Sequence, residues 1–181
     1  MFAVCSYSKV EAMALTSDEL LRRLATLGVV AVTHEHPPLR TVEEAKRMRG
    51  ELPGAHVKNL FLRGRQDRYW LFTTLEDSRV DLKALAIQLG AGRFSFGSAA
   101  ALEAKLGILP GAVSPLAAVN DEAGEVTVVL DERLLAVTPI NVHPLRNDRT
   151  TALAPDDLVR FLETCGHAPR VIAVGSAEGG G

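Results

Sequence analysis

The sequence predicts an α+β fold: a single domain with a mixed, largely antiparallel β-sheet flanked by helices. Helical and strand-like segments alternate along the chain, and two pairs of apolar segments are joined by short turns, which sets neighbouring strands antiparallel. The chain has 181 residues, 47% of them hydrophobic, enough for one core. No repeat or linker divides it. The expected boundaries are a loose extension over 1–14, the domain over 15–175 and a flexible tail over 176–181.

Thr16-Ser17-Asp18-Glu19 reads as a capping box, opening a helix with an apolar stripe of Leu20, Leu21, Leu24 and Leu27 that ends at Gly28. Val29 to Thr33 is β-branched and is expected as a strand. Thr41-Val42-Glu43-Glu44 is a second capping box, for a short helix stopped by Gly50. Val57–Leu62 and Tyr69–Thr74 form a predicted hairpin around Gly64-Arg65-Gln66-Asp67. Asp81 caps a helix closed by Gly90, Phe94 to Phe96 is a short strand, and Ser98 caps a helix ending at Gly107. Val113–Val119 and Val126–Leu130 are expected as a second hairpin, followed by a helical turn from Asp131. Strands are then expected over Ile140–His143 and Thr150–Leu153. Pro155 begins a last helix through Thr164, and Val171–Val174 is the last expected strand.

Composition narrows the function. No apolar run is long enough to cross a bilayer, and the N-terminus lacks the basic start of a secretory leader, so a cytoplasmic location is expected. Cys5 and Cys165 are too few for a disulfide framework or a metal cluster. A net charge of −2 argues against an extended RNA-binding face and leaves room for a local one. Arg63, Arg65 and Arg68 near the hairpin turn, with Arg146 and Arg149 further on, are the arginines available for it.

Two stretches carry candidate chemistry. Gly111-Ala112-Val113-Ser114-Pro115 is a turn in which glycine admits positive φ and proline fixes the chain, so main-chain groups can be held in a fixed array around a ligand. Lys58-Asn59 opens the apolar run Leu60-Phe61-Leu62, where a fixed cation and an amide could grip an anion and a carbonyl. His143, at the end of a short strand, could orient water or an ester. Ser114 is the loop's one hydroxyl, but no histidine–acid pair stands ready to activate it. His34 and His36 share a strand face, yet a third ligand is missing nearby, so neither a metal nor a cofactor is expected. The segment is expected to line a pocket mouth.

In order along the chain, His36-Pro37-Pro38, Thr41-Val42-Glu43-Glu44-Ala45, Val57-Lys58-Asn59-Leu60, Gly111 to Pro115 and Val142-His143-Pro144-Leu145-Arg146-Asn147-Asp148 resemble the YbaK/prolyl-tRNA synthetase-associated editing domain. More narrowly, they are similar to its free-standing ProX branch. The resemblance implies a trans-acting aminoacyl-tRNA deacylase, with alanine on proline tRNA as substrate. Lys58, Gly111 and His143 are then its catalytic residues, and Asn59, Ala112, Ser114 and Pro115 bind substrate. Lys58 and Asn59 would hold the terminal adenosine, and the loop's main chain would hold the aminoacyl end. A hydroxyl of that adenosine would assist the attack, so no acyl-enzyme would form.

A pocket that takes alanine and refuses proline must do so by size, since a methylene or two changes binding by only about 1–3 kcal/mol. Candidate walls are Val32, Met48 and Phe61. Three alternatives stay open: a deacylase for cysteine on proline tRNA, a non-catalytic module binding aminoacyl-tRNA or a synthetase, and a hydrolase of small esters. The expected partner is the tRNA acceptor end, with no membrane. Association with prolyl-tRNA synthetase or elongation factor, and the choice of monomer or homodimer, stay open too.

Overall fold

Thr16 closes its capping box as expected: the Thr16 hydroxyl accepts from the Glu19 N–H, and the Glu19 carboxylate accepts from the Thr16 N–H. The helix it starts, α1 (Ser17–Thr26), turns Leu20 and Leu24 into the core one turn apart. The structure is a computed structural model and describes residues 14–38 and 52–174. The expected helix after Thr41, the candidate wall Met48, Cys5 and the tail lie outside the described residues.

The strands are β1 (Val32–Glu35), β2 (Ala55–Arg63), β3 (Tyr69–Leu75), β4 (Ser95–Phe96), β5 (Val126–Asp131), β6 (Ile140–Val142), β7 (Arg149–Leu153) and β8 (Arg170–Ile172). Among the described residues three more α-helices follow α1: α2 (Leu82–Leu89), α3 (Ala99–Leu106) and α4 (Pro155–Thr164). The sheet runs β1-β7-β6-β2-β3-β5-β8, with β4 also on β2. It is mixed: β2–β6, β3–β5 and β5–β8 are parallel, and the other pairings are antiparallel. The fold is therefore the α+β domain that the sequence predicts.

Strand alternation divides the core between the two faces. Phe61, Leu71, Val128 and Leu130 pack with Leu20 and Leu24 of α1, Leu102 and Leu106 of α3, and Phe161 and Leu162 of α4. On the other face Leu62, Trp70, Phe72 and Val129 pack under Leu85, Ala86 and Leu89 of α2. Trp70 meets Phe94 edge-on at 5.2 Å. Each such buried side chain contributes about 1.5–3 kcal/mol, so the two faces together fix the sheet's orientation.

The β2–β3 hairpin forms as read, with Lys58 opposite Thr74 and Asn59 opposite Thr73. The second expected hairpin does not form. Pro115–Asn120 is a 3-10 helix, because the Ser114 hydroxyl accepts from the Leu116 N–H as its N-cap and Pro115 sits in its first turn. Its buried run from Pro115 to Val119 is helical core and not a strand between neighbours. β5 pairs instead with β3 and β8. The strand expected from Val29 starts at Val32, since the Val29 N–H still closes α1 on the Leu24 carbonyl. β8 spans Arg170–Ile172 and not Val171–Val174.

Candidate functional site

β6 touches β2 only at Ala55 and His56, and β4 only at Leu62 and Arg63. Between those contacts the β2 edge from Val57 to Phe61 has no strand beside it among the described residues. Gly54 sets this geometry. Its φ is +98°, and a Cβ there would fall 2.1 Å from the Pro139 carbonyl, which accepts the Ala55 N–H at 2.8 Å. Only glycine lets the two chains meet and then part. Lys58 and Asn59 lie in the gap.

Asn59 joins the gap to the glycine–proline loop. Its Nδ2 donates to the Val113 carbonyl at 2.8 Å, and its Oδ1 accepts from the Thr73 hydroxyl at 2.8 Å. Thr73 is fully buried, so both ends of this amide are fixed by framework. Gly111 sits at φ +92°, and a Cβ there would lie 3.4 Å from Asn147 Nδ2, an ordinary contact distance. The backbone, not the space, demands glycine. Gly111 therefore rests against the β6–β7 loop that carries His143 and Asn147.

His143 stands two residues beyond Asn141, as Lys58 stands two beyond His56, its register partner. Its Nδ1 lies 2.9 Å from the Arg149 carbonyl, which makes Nδ1–H the donor and leaves Nε2 an acceptor on the neutral ring. Burial pushes its pKa below the ordinary 6.5, the His36 charge adds to that, and the bond to the Arg149 carbonyl opposes it. His36 stands 6.4 Å away, ring to ring, with Nε2 at 2.9 Å from the Thr150 hydroxyl. Arg149 holds this corner together by pairing with Asp18 of α1 and, at 3.0 Å, with Glu35 of β1.

Lys58 does not act from the same side as Asn59. Val57 and Phe61 pack with one core and Leu60 and Leu62 with the other, so alternation sends the Lys58 and Asn59 side chains to opposite faces. A joint hold on one ligand by this pair would have to come from two faces of the strand. Lys58 Nζ donates to the Ser78 carbonyl, next to a cavity of about 500 Å³ lined by Gly54, His56, Leu75, Ser78 and Arg133.

The remaining expected binding residues are framework. Ser114 is fully buried as an N-cap, Pro115 is buried in the first turn of the 3-10 helix, and the Ala112 N–H donates to the Leu109 carbonyl. Of the expected walls, Phe61 is a core ring stacked on Tyr69 at 5.1 Å, and Val32 is 54% exposed on β1. Thr73, Ser78 and Arg133 were missed, and Asn147 was read only as part of the Val142 to Asp148 match. Thr73 was within reach, since counting back across the hairpin turn sets the polar pair Thr73-Thr74 opposite Lys58-Asn59. Ser78 and Arg133 give no local signal, because they reach the site only through the tertiary fold.

These features define an α+β domain with a candidate site that draws on main chain, an amide, one lysine and one neutral histidine. The aminoacyl-tRNA editing domain family model matches residues 36–161, and the chain belongs to that family. It is 39% identical over 158 residues to prolyl-tRNA synthetase associated domain-containing protein 1 of Bos taurus, covering 84% of this chain and 92% of that one. It is 34% identical over 154 residues to the prolyl-tRNA editing protein ProX of Acetoanaerobium sticklandii, covering 84% and 94%. In structure it superposes, with TM-score 0.68 and 22% identity, on a candidate trans-editing enzyme for prolyl tRNA synthetase, covering 96% and 100% of the two chains. No described helix is long and apolar enough to cross a membrane.

Proposed function

We propose that this protein is a trans-acting aminoacyl-tRNA deacylase that removes alanine from proline tRNA. The observation that carries the reading is the Asn59–Val113 bond, which pins the Gly111 loop against the open β2 edge beside Lys58. An ester lying in that gap meets main-chain groups of the loop on one side and the lysine on the other. Water adds to the ester carbonyl carbon, the bond to the ribose oxygen breaks, and that oxygen takes up the proton. Lys58 stabilises the developing negative charge and neutral His143 accepts from the water through Nε2. The terminal ribose hydroxyl next to the ester assists. The burial of Ser114 supports hydrolysis without an acyl-enzyme, because its oxygen is committed to capping.

The arginines support a local RNA contact. Arg63 pairs with Asp67, Arg146 with Asp148, and Arg149 with Asp18 and Glu35. Arg65 and Arg68 are exposed on the β2–β3 turn with no ion pair among the described residues, and offer phosphate contacts to the acceptor stem.

The test is release of amino acid from proline tRNA charged separately with alanine, cysteine and proline. Fast loss of alanine alone supports the reading. Preferential loss of cysteine moves the same site to the other specificity, and no turnover with retained binding leaves a binding module.

A further inference from the structure

Five residues, the candidate catalytic lysine among them, form a ring on one face of the sheet. Lys58 Nζ donates to the carbonyl of Ser78, in the turn after β3. The Ser78 hydroxyl accepts from Arg133 Nη2 at 2.9 Å. Arg133 lies along the carboxylate of Asp131, with Nε at 3.0 Å from Oδ1 and 3.1 Å from Oδ2. Asp131 is fully buried and accepts a hydrogen bond from the Thr74 hydroxyl. Thr74 is the residue directly across from Lys58 in the β2–β3 ladder, which closes the ring.

A carboxylate is brought into a core only when it is paired and hydrogen-bonded. Burial alone would push the Asp131 carboxyl up, but the Arg133 side chain, Thr74 and the Arg133 N–H together hold it below the usual carboxylate range. The fixed anion in turn fixes the guanidinium, whose planar fork leaves one N–H aimed at Ser78. The chain passes from β3 to α2 through Ser78; the Glu76 N–H ties the start of this turn to the His56 carbonyl of β2 at 2.9 Å, and the Ser78 N–H bonds the Leu75 carbonyl within the turn. At Ser78 itself, Arg133 adds a tie from beyond β5, on the hydroxyl of the residue whose carbonyl holds Lys58.

We propose that Arg133 is a positioning residue for Lys58, acting through Ser78 and held in place by Asp131 and Thr74. A lysine has four rotatable bonds and spends its reach on whatever partner it finds. Tying its ammonium to an anchored carbonyl keeps it at the β2 edge when no substrate is present. Its two remaining N–H groups stay free to point at the ligand. The kinetic arm of the test rests on the deacylase reading, whereas the chemical arm does not.

Two measurements on folded protein test the assignment, with Arg133→Met, Arg133→Lys and Ser78→Ala. The first is the rate at which Lys58 is acetylated by a limiting pulse of acetic anhydride, read by mass spectrometry against the surface lysine Lys83. Arg133→Met and Ser78→Ala should raise Lys58 labelling severalfold relative to Lys83, with Arg133→Lys in between. Unchanged relative labelling overturns the proposal, whatever the protein hydrolyses. The second is deacylation. Arg133→Met should lower kcat about tenfold with KM nearly constant, and Arg133→Lys should recover part of it. Adding Arg133→Met to Lys58→Ala should cost nothing further, because the two act as one unit. Full additivity of the two losses overturns the proposal, since a merely structural arginine would act independently of the lysine. If labelling responds while wild type and Lys58→Ala hydrolyse equally, the positioning stands and the deacylase reading falls.

Discussion

Asn59→Ala removes both ends of the link between β2 and the Gly111 loop. The Thr73 hydroxyl, fully buried, loses its acceptor, and the Val113 carbonyl loses a donor at 2.8 Å. Leaving a buried polar group unsatisfied costs about 1–3 kcal/mol, and the half-buried Val113 carbonyl belongs at the low end because water can reach it. The sum is about 2–4 kcal/mol. For a domain of this size each kcal/mol moves Tm by about 2–4 °C, so the midpoint should fall by roughly 5–15 °C. The loop should also lose its register against the β2 edge, and kcat/KM for alanyl-tRNA should fall by more than the unfolded fraction explains. Asn59→Asp keeps the Thr73 acceptor but turns an oxygen towards the Val113 carbonyl, so it should lose activity as well. Thermal unfolding by circular dichroism beside deacylation at 25 °C reads both effects. An alanine variant with unchanged Tm and unchanged kcat/KM would refute the reasoning.

Four further outcomes follow from the same structure. Gly111→Ala places a side chain at φ +92°, a conformation costing roughly 1–2 kcal/mol, while its Cβ meets Asn147 only at contact distance; a modest fall in Tm with a larger fall in kcat/KM is expected, and wild-type values would contradict the assigned backbone. The lowered pKa of His143 keeps the ring neutral at pH 7, so the acid limb of kcat should lie below pH 6.5 and vanish in His143→Gln. Its linkage has the matching sign. The unfolded chain binds the proton first, so the stability contribution is complete above about pH 6.5 and is lost as pH falls through the native pKa, a loss that urea titrations at stepped pH should register in wild type and miss in His143→Gln. Replacing Arg65 and Arg68 together by glutamate should raise KM for charged tRNA and flatten its salt dependence; identical salt slopes would remove the hairpin turn from the RNA contact.

Much of the fold was legible because its signals are local. The Thr16 capping box, the β2–β3 turn, the Asp81 and Ser98 caps and Pro155 at the start of α4 each announce an element within a few residues. The stretch after Ser114 misled because Leu116 to Val119 is apolar without a period, and a buried 3-10 helix and a buried strand look alike in such a run. At the candidate site, Lys58, Gly111 and His143 were picked out by residue type together with the family resemblance, while the strand alternation that sets Lys58 and Asn59 on opposite faces was not applied. The ring through Ser78, Asp131 and Arg133 was not legible. Apart from the Asp131–Arg133 pair and the Lys58–Thr74 register, its hydrogen bonds join residues 20 to 57 apart, and only the parallel pairing of β5 on β3 brings Asp131 to Thr74.

The most direct test of the central claim is alanine release from Ala-tRNA(Pro) by wild type and Lys58→Ala under single-turnover conditions. Wild type should clear the ester well above the spontaneous rate, and the variant should be slower by about a hundredfold or more with its Tm little changed. Equal rates for the two proteins would contradict the account, because the lysine beside the open β2 edge would then take no part in the reaction.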